Sequence, residues 1–274
     1  MQVGPPRLIG LPYDASSSYL RGAAAAPPLI RMALFSSAGN PWTERLRDLS
    51  SPDGLTDAGD VPLSQTDAAR AEIEESIDAI FVAGGRPLAL GGDHSVTYPI
   101  VRVVGRRHRP LTIVHVDAHP DLYETFGGDR FSHASPLARI MEEGLATRLL
   151  QIGIRARNAH QQRQAERFGV ETIDMQAWVA GVRPSVDGQV YLSVDLDALD
   201  PAYAPGVSHR EPGGLSVRDV VGIVQDLGGT LVGADVVEFN PVQDVAGLTA
   251  IVAAKLVKEI AGRMLADGRP PGSG

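Results

Sequence analysis

Three short stretches of the chain gather side chains able to hold a divalent cation. They are Leu90-Gly-Gly-Asp-His94, Val116-Asp-Ala-His-Pro-Asp121 and Ser193-Val-Asp-Leu-Asp-Ala-Leu-Asp-Pro201. In the second, Asp117, His119 and Asp121 stand at i, i+2 and i+4, so an extended backbone throws all three to one side. Asp195 and Asp197 repeat the i, i+2 spacing directly after the apolar run Val190 to Val194. Four carboxylates gathered in a poorly solvated crevice raise one another's pKa and destabilise the fold unless a counterion joins them. Two divalent cations balance four Asp charges, and neutral imidazoles complete the shells. The chain has no cysteine, so disulfides, thiolate metal sites and cysteine nucleophiles are excluded. A donor set of oxygen with imidazole points to Mn²⁺ ahead of Zn²⁺, with Fe²⁺, Co²⁺ and Ni²⁺ as further fits. One Asp-x-His-x-Asp alone is weak, because Asp is common at strand ends as a turn former or helix cap. Three such clusters, each following an apolar run, make coincidence a poor explanation.

Around these clusters other residues invite a role, each with a plainer alternative. Asp93 either caps the helix that follows Gly91 and Gly92 or orients His94. His115 shares strand parity with Asp117 and reads as buried packing or support for a ligand rather than as a ligand itself. Asp200, ahead of Pro201, reads as a turn residue. His133, in Phe131-Ser-His-Ala-Ser135, follows a Gly-containing loop that begins at the Asp-His-Asp run; it is a candidate proton shuttle or a surface or capping histidine. Glu238 ends an apolar run and could accept a planar cation bidentately, or could cap a helix. His108, in Arg106-Arg-His-Arg109, reads as solvated surface, and nothing local decides the roles of His160 and His209.

The elements that must position these residues are legible in outline. Apolar, β-branched runs at Arg7 to Leu11, Pro87 to Leu90, Leu111 to Asp117, Arg148 to Ile154, Val170 to Ile173, Val190 to Asp195 and Leu231 to Val237 read as strands. Several are near-continuously apolar, as parallel strands covered on both faces are. Between them lie helical patterns. Ile73, Ile77, Ile80 and Phe81 form one stripe within Thr66 to Ala83, with Thr66 as N-cap and Gly84 and Gly85 as the stop. Ser216-Val-Arg-Asp219 has capping-box spacing, and a further helix fills Val245 to Met264. The alternation predicts an α/β fold: a three-layer α/β/α sandwich around a mainly parallel, doubly wound β-sheet. In such sheets ligands collect at the carboxyl ends of the strands. The length of 274 residues suits one catalytic domain over 1–268, with 269–274 as a flexible tail.

Composition narrows the partners. Lys and Arg total 25 against 33 Asp and Glu, a net charge of −8, which argues against nucleic acid and favours a small cation. No apolar run approaches the roughly 20 residues that span a membrane. The first residues lack the pattern of a secretory signal, and a cytoplasmic location is the expectation.

Taken together, Gly91-Gly-Asp-His94-Ser95, Asp117-Ala-His-Pro-Asp121, Ser193 to Pro201 and Glu238-Phe-Asn-Pro241 resemble the signature motifs of the ureohydrolase (arginase/agmatinase) family. Leu55-Thr-Asp-Ala-Gly-Asp-Val-Pro62, Phe131-Ser-His-Ala-Ser135, Pro205-Gly-Val-Ser-His209 and Glu211-Pro-Gly-Gly214 make the likeness strongest to plant-type arginases. The resemblance covers nearly the whole chain. It implies two Mn²⁺ ions, one held by His94, Asp117, Asp121 and Asp195, the other by Asp117, His119, Asp195 and Asp197. It also implies His133 as the proton-transfer histidine and Glu238 as the group that orients the guanidinium. The implied chemistry is attack of water, made acidic by the cations, on the guanidinium carbon, with His133 supplying a proton to the departing amine. Animal-type arginases carry Asn where this chain has Tyr123, so recognition of the substrate's carboxylate must be rebuilt, with Tyr123 and Asn158 as candidates. Arginine ranks first as substrate, then agmatine, then guanidinobutyrate and other guanidino acids. A homo-oligomer, trimer or hexamer, is implied as well. The other readings are a metal-binding but inactive relative, and a two-metal phosphoesterase, which no glycine-rich phosphate cradle or basic cluster near Asp117 supports.

Overall fold

The computed structural model describes residues 3–267; the expected tail at 269–274 lies outside them. Eight strands form one sheet: β1 (Pro6–Gly10), β2 (Thr56–Asp60), β3 (Arg86–Leu90), β4 (Leu111–Val116), β5 (Arg148–Ile152), β6 (Glu171–Ile173), β7 (Gln189–Asp195) and β8 (Thr230–Val237). Their order is β2-β1-β3-β8-β7-β4-β5-β6, and every pairing between them is parallel. The expected sheet is therefore parallel throughout. β2 is the strand that the hydrophobic pattern does not reveal, because Thr-Asp-Ala-Gly-Asp lies at an exposed edge and buries almost nothing.

Side chains alternate between the two faces with the period of two that a pleated strand imposes. Leu88, Leu90, Val114, Val116, Leu192 and Val194 join one core, with α1 (Ala26–Leu34), α7 (Val217–Asp226) and α8 (Leu248–Asp267). Ala89, Leu111, Ile113, Tyr191 and Val237 join the other, with α2 (Ala69–Val82), α3 (Thr97–Arg107) and α4 (Pro136–Glu142). Two further helices, α5 (Ala159–Phe168) and α6 (Met175–Val179), flank β6 in sequence. Three layers result, as expected.

Local signals hold at some ends and shift at others. The Ser216 hydroxyl accepts from Asp219 N–H and Asp219 accepts in return from Ser216 N–H, so the capping box at α7 is formed. Thr66 does not cap α2, which starts three residues later at Ala69; its hydroxyl accepts from Ala68 N–H instead. The last helix begins at Leu248 rather than Val245 because Gly247 takes a left-handed φ of 71° and Asp244 accepts from Thr249 N–H. Among the described residues, no helix is long and apolar enough to cross a membrane.

The placement that matters is central. β3, β8, β7 and β4 are consecutive neighbours, and their registers align Leu90 with Val236, Val237 with Asp195, and Val194 with Val116. The residues that follow these four positions therefore emerge side by side at one edge of the sheet.

Candidate functional site

From β3 the chain passes through Gly91 and Gly92 into a short turn carrying His94. A Cβ on Gly92 would lie 1.8 Å from the carbonyl oxygen of Tyr13, so only glycine lets the backbone run this close. Asp93 caps the turn by accepting from Ser95 N–H at 3.1 Å. Of its two expected roles this is the one it takes, because a different chain of groups orients the His94 ring. Nε2 of His94 lies 3.0 Å from Ser193 Oγ. The Ser193 hydroxyl donates to Asp235 at 2.6 Å, and Asp235 also accepts from Thr97 Oγ1 and Tyr191 Oη. With its own proton given to Asp235, Ser193 accepts from Nε2–H, and the lone pair of His94 stands on Nδ1.

That nitrogen is the most telling atom of the site. It is fully buried and makes no hydrogen bond, yet it faces Asp117 Oδ2 at 3.2 Å, Asp121 Oδ2 at 3.1 Å and Asp195 Oδ2 at 3.1 Å. A lone pair and three carboxylate oxygens converging in a buried place fit a shared metal cation. Without one, a proton on His94, opposed by burial but favoured by these carboxylates, must take its place or the groups repel one another. Asp121 reaches the group from a left-handed backbone, φ 52°.

A second group adjoins the first through Asp117. Its Oδ1 lies 3.5 Å from His119 Nδ1, which is also 3.0 Å from Asp197 Oδ2. Asp117 thus presents one oxygen to each histidine. Asp195 presents only Oδ2 to His94, its Oδ1 accepting from Asp197 N–H at 2.7 Å. His115 stays behind the carboxylates: Gln151 donates to its Nδ1, so Nε2 carries the proton and donates to Asp117 Oδ2 at 2.7 Å. Burial and the neighbouring charges of Asp197 and Asp117 push Asp195 well above the usual carboxylate range. Burial, with Asp117 adding and His119 opposing, pushes Asp197 up to about 6.

Glu238 follows β8 with a left-handed φ of 63°, which turns its carboxylate back toward the crevice. Its Oε1 accepts from His94 N–H at 2.8 Å and from His133 Nδ1–H at 3.0 Å. Burial opposes protonation of His133, but the Glu238 carboxylate outweighs it and raises the imidazole to about 9. A cleft of about 310 Å³ opens over these groups, bordered by His119, Asp121, His133, Asp195, Asp197 and Glu238. Tyr123 and Asn158 border it too, and they are bound to each other, Asn158 Nδ2 donating to Tyr123 Oη at 2.6 Å.

Sequence reasoning left some lining residues unassigned. His209 lies in the cleft with its ring 5.3 Å from that of His133. Ser18 and Glu211 also border it; they sit in loops where no periodic pattern points to them. His160 stacks on Tyr123 with ring centroids 5.5 Å apart. Contrary to expectation, His108 is half-buried and bound to Gln189.

The model of the arginase family matches residues 6–262. The chain belongs to this family. It is 48% identical to "Arginase 1, mitochondrial" of Arabidopsis thaliana over 94% of this chain and 80% of that one. It is 47% identical to "Arginase 1, mitochondrial" of Oryza sativa subsp. indica over 94% of this chain and 81% of that one. The solved arginase from Medicago truncatula superposes with a TM-score of 0.91 at 43% identity, covering 96% of this chain and 88% of that one. This arginase-family chain is accordingly a ureohydrolase acting on a guanidino C–N bond. The expected cytoplasmic location is overturned by the relatives, which are named mitochondrial. A secretory pattern marks one route only, and organelle-transit segments are amphipathic and Arg- and Ser-rich instead.

Proposed function

We propose that the protein is a dinuclear, manganese-dependent arginase that converts L-arginine to L-ornithine and urea. The observation that carries this reading is the unpartnered Nδ1 of His94 among three carboxylate oxygens, joined through Asp117 to the His119 and Asp197 group. His94, Asp117, Asp121 and Asp195 would hold one cation, and Asp117, His119 and Asp197 the second, with Asp195 shared as the family motif implies. When bound, such cations offset the carboxylate charge and make water more acidic.

The chain's own groups supply the rest. Glu238 is ionised, its pKa held below the usual range by His133 and by His94 N–H against the effect of burial, so it can orient a planar cation by charge and hydrogen bonding. His133 lies against Glu238, retains its proton near neutral pH, and can deliver it to the amine that leaves. Arg157 and Asn158 border the same cleft and offer donors that suit an α-carboxylate, which agmatine lacks. This supports arginine as the first substrate. The exposed Met32, Phe35, Leu248 and Ile251 of α1, its C-terminal end and α8 are compatible with self-association; the trimer or hexamer itself follows from the family resemblance, and light scattering in solution measures it.

The test is a steady-state comparison of arginine, agmatine and 4-guanidinobutyrate with Mn²⁺-loaded protein, reading urea and the amine product. Arginine is expected to give the highest kcat/KM, and Asp117→Ala to lose both bound manganese and urea release. Higher kcat/KM for agmatine would reassign the substrate. Urea release by Asp117→Ala without metal would overturn the mechanism.

A further inference from the structure

Both nitrogens of the His133 ring are engaged, one of them by a residue of the cleft wall with no role assigned above. Nδ1 faces the Glu238 carboxylate at 3.0 Å, and Nε2 faces the Ser18 hydroxyl at 2.8 Å. Because an ionised carboxylate accepts from Nδ1–H, gain and loss of the second proton fall to Nε2. His133 is 8% exposed, whereas Ser18 is exposed and borders the cleft. The hydroxyl thus stands between a buried nitrogen and the opening of the cleft.

The loop carrying Ser18 is fastened on both sides. Asp14 accepts from Gly22 N–H at 2.7 Å, and Asp93 accepts from Ser16 N–H at 3.0 Å and from Ser17 Oγ at 3.3 Å. His133 N–H in turn donates to Ser16 O at 3.3 Å. The three consecutive serines divide the work: Ser16 contacts Tyr13, Ser17 contacts Asp93, and among the described residues the Ser18 side chain bonds only to His133. A hydroxyl can donate to a neutral Nε2 and, after rotating, accept from a protonated one. It therefore satisfies the buried nitrogen in either state, which a group limited to donating or accepting does not.

We propose that Ser18 is a positioning residue for His133 and that its hydroxyl carries protons between the cleft and Nε2. In the uptake direction a hydronium ion in the cleft gives a proton to Ser18 Oγ and becomes water, while the original serine O–H breaks and its proton bonds to Nε2. Two O–H bonds are broken, the hydronium's and the serine's, one serine O–H and one Nε2–H are formed, and serine ends unchanged; delivery runs the same steps in reverse. This inference rests on His133 acting as the proton donor.

The experiment compares the wild type, Ser18→Ala, Ser18→Thr and His133→Ala, each Mn²⁺-loaded and assayed with arginine. Metal content and thermal melting are checked for each. Ser18→Ala is expected to lower kcat about tenfold or more, as loss of assisted proton transfer does, with KM within about threefold and metal content unchanged; Ser18→Thr restores most of kcat. A Ser18→Ala kcat within twofold of wild type overturns the proposal, as does a loss that Ser18→Thr leaves unrelieved. The His133→Ala variant separates the two readings. If it keeps wild-type kcat, the assignment of His133 fails and Ser18 falls with it. If it loses activity while Ser18→Ala does not, only the Ser18 inference fails.

Discussion

His94 illustrates how much a metal-competent side chain owes to atoms that no metal touches. Ser193, held by Asp235, receives Nε2–H and so directs the Nδ1 lone pair at the carboxylates. Ser193→Ala would leave both Nε2–H and Asp235 short of a partner in a fully buried place. Removing groups that orient a ligand typically weakens metal binding about 10- to 100-fold. We expect Mn²⁺ titration calorimetry to show a drop in that range, with far-UV circular dichroism unchanged; a loss under threefold would argue against the Asp235–Ser193–His94 chain. The ligand candidates themselves were readable, since i, i+2 spacing after an apolar run needs only the strand's own geometry. Asp235 was not. It lies inside the apolar run of β8, and its donors come from β7 and α3, so its use depends on pairings that the sequence does not display. Ser18 stayed hidden for a similar reason, 115 residues from the histidine it meets.

At the scale of elements, apolar, β-branched runs revealed seven of the eight strands. For the six inner strands burial on both faces writes itself into composition, while the edge strand β6 shows through Val170, Thr172 and Ile173. β2, at the other edge, escaped because Thr-Asp-Ala-Gly-Asp carries no such run. The Ser216 cap was local and legible, whereas the start of α2 moved to Ala69, whose N–H goes to the Thr66 carbonyl while no side chain caps the helix. Tertiary ties between elements were invisible, and Glu44 is one. From the segment between α1 and β2 it pairs with Arg218 of α7 and Lys255 of α8, and hydrogen bonds from these two hold its carboxyl at about 2, below the usual 4.5. A depressed carboxylate stabilises the fold above its unfolded pKa, and the contribution disappears as pH falls from about 4.5 through 2. The side chain is 35% exposed, so screening limits the effect to about 1 kcal/mol or less. Glu44→Gln should therefore lower Tm slightly at pH 7, with the difference shrinking below about pH 4.5 and vanishing as pH falls through about 2. A difference that grows on acidification would contradict the sign.

For the molecule as a whole, the four central strands deliver His94, Glu238, Asp195, Asp197 and the Asp117 to Asp121 run to one edge, and the acidic crowding there is a load on the fold. Burial together with Asp197 and Asp117 keeps Asp195 well above its ordinary pKa, so the apo protein must protonate that group or bear the repulsion. A cation that binds only the folded chain removes the load and adds its binding free energy to stability, about 2.7 kcal/mol when present at 100 times its Kd. For a chain of this size each kcal/mol shifts Tm by roughly 2–4 °C. Chelator-treated protein should therefore melt roughly 5–10 °C below the same sample resupplied with Mn²⁺ in calorimetry. Asp117→Asn, which weakens both cation groups at once, should show little of this response. If treated and resupplied wild-type samples melt together, the carboxylates are reconciled by protons instead of an ion, and the dinuclear reading loses its physical basis.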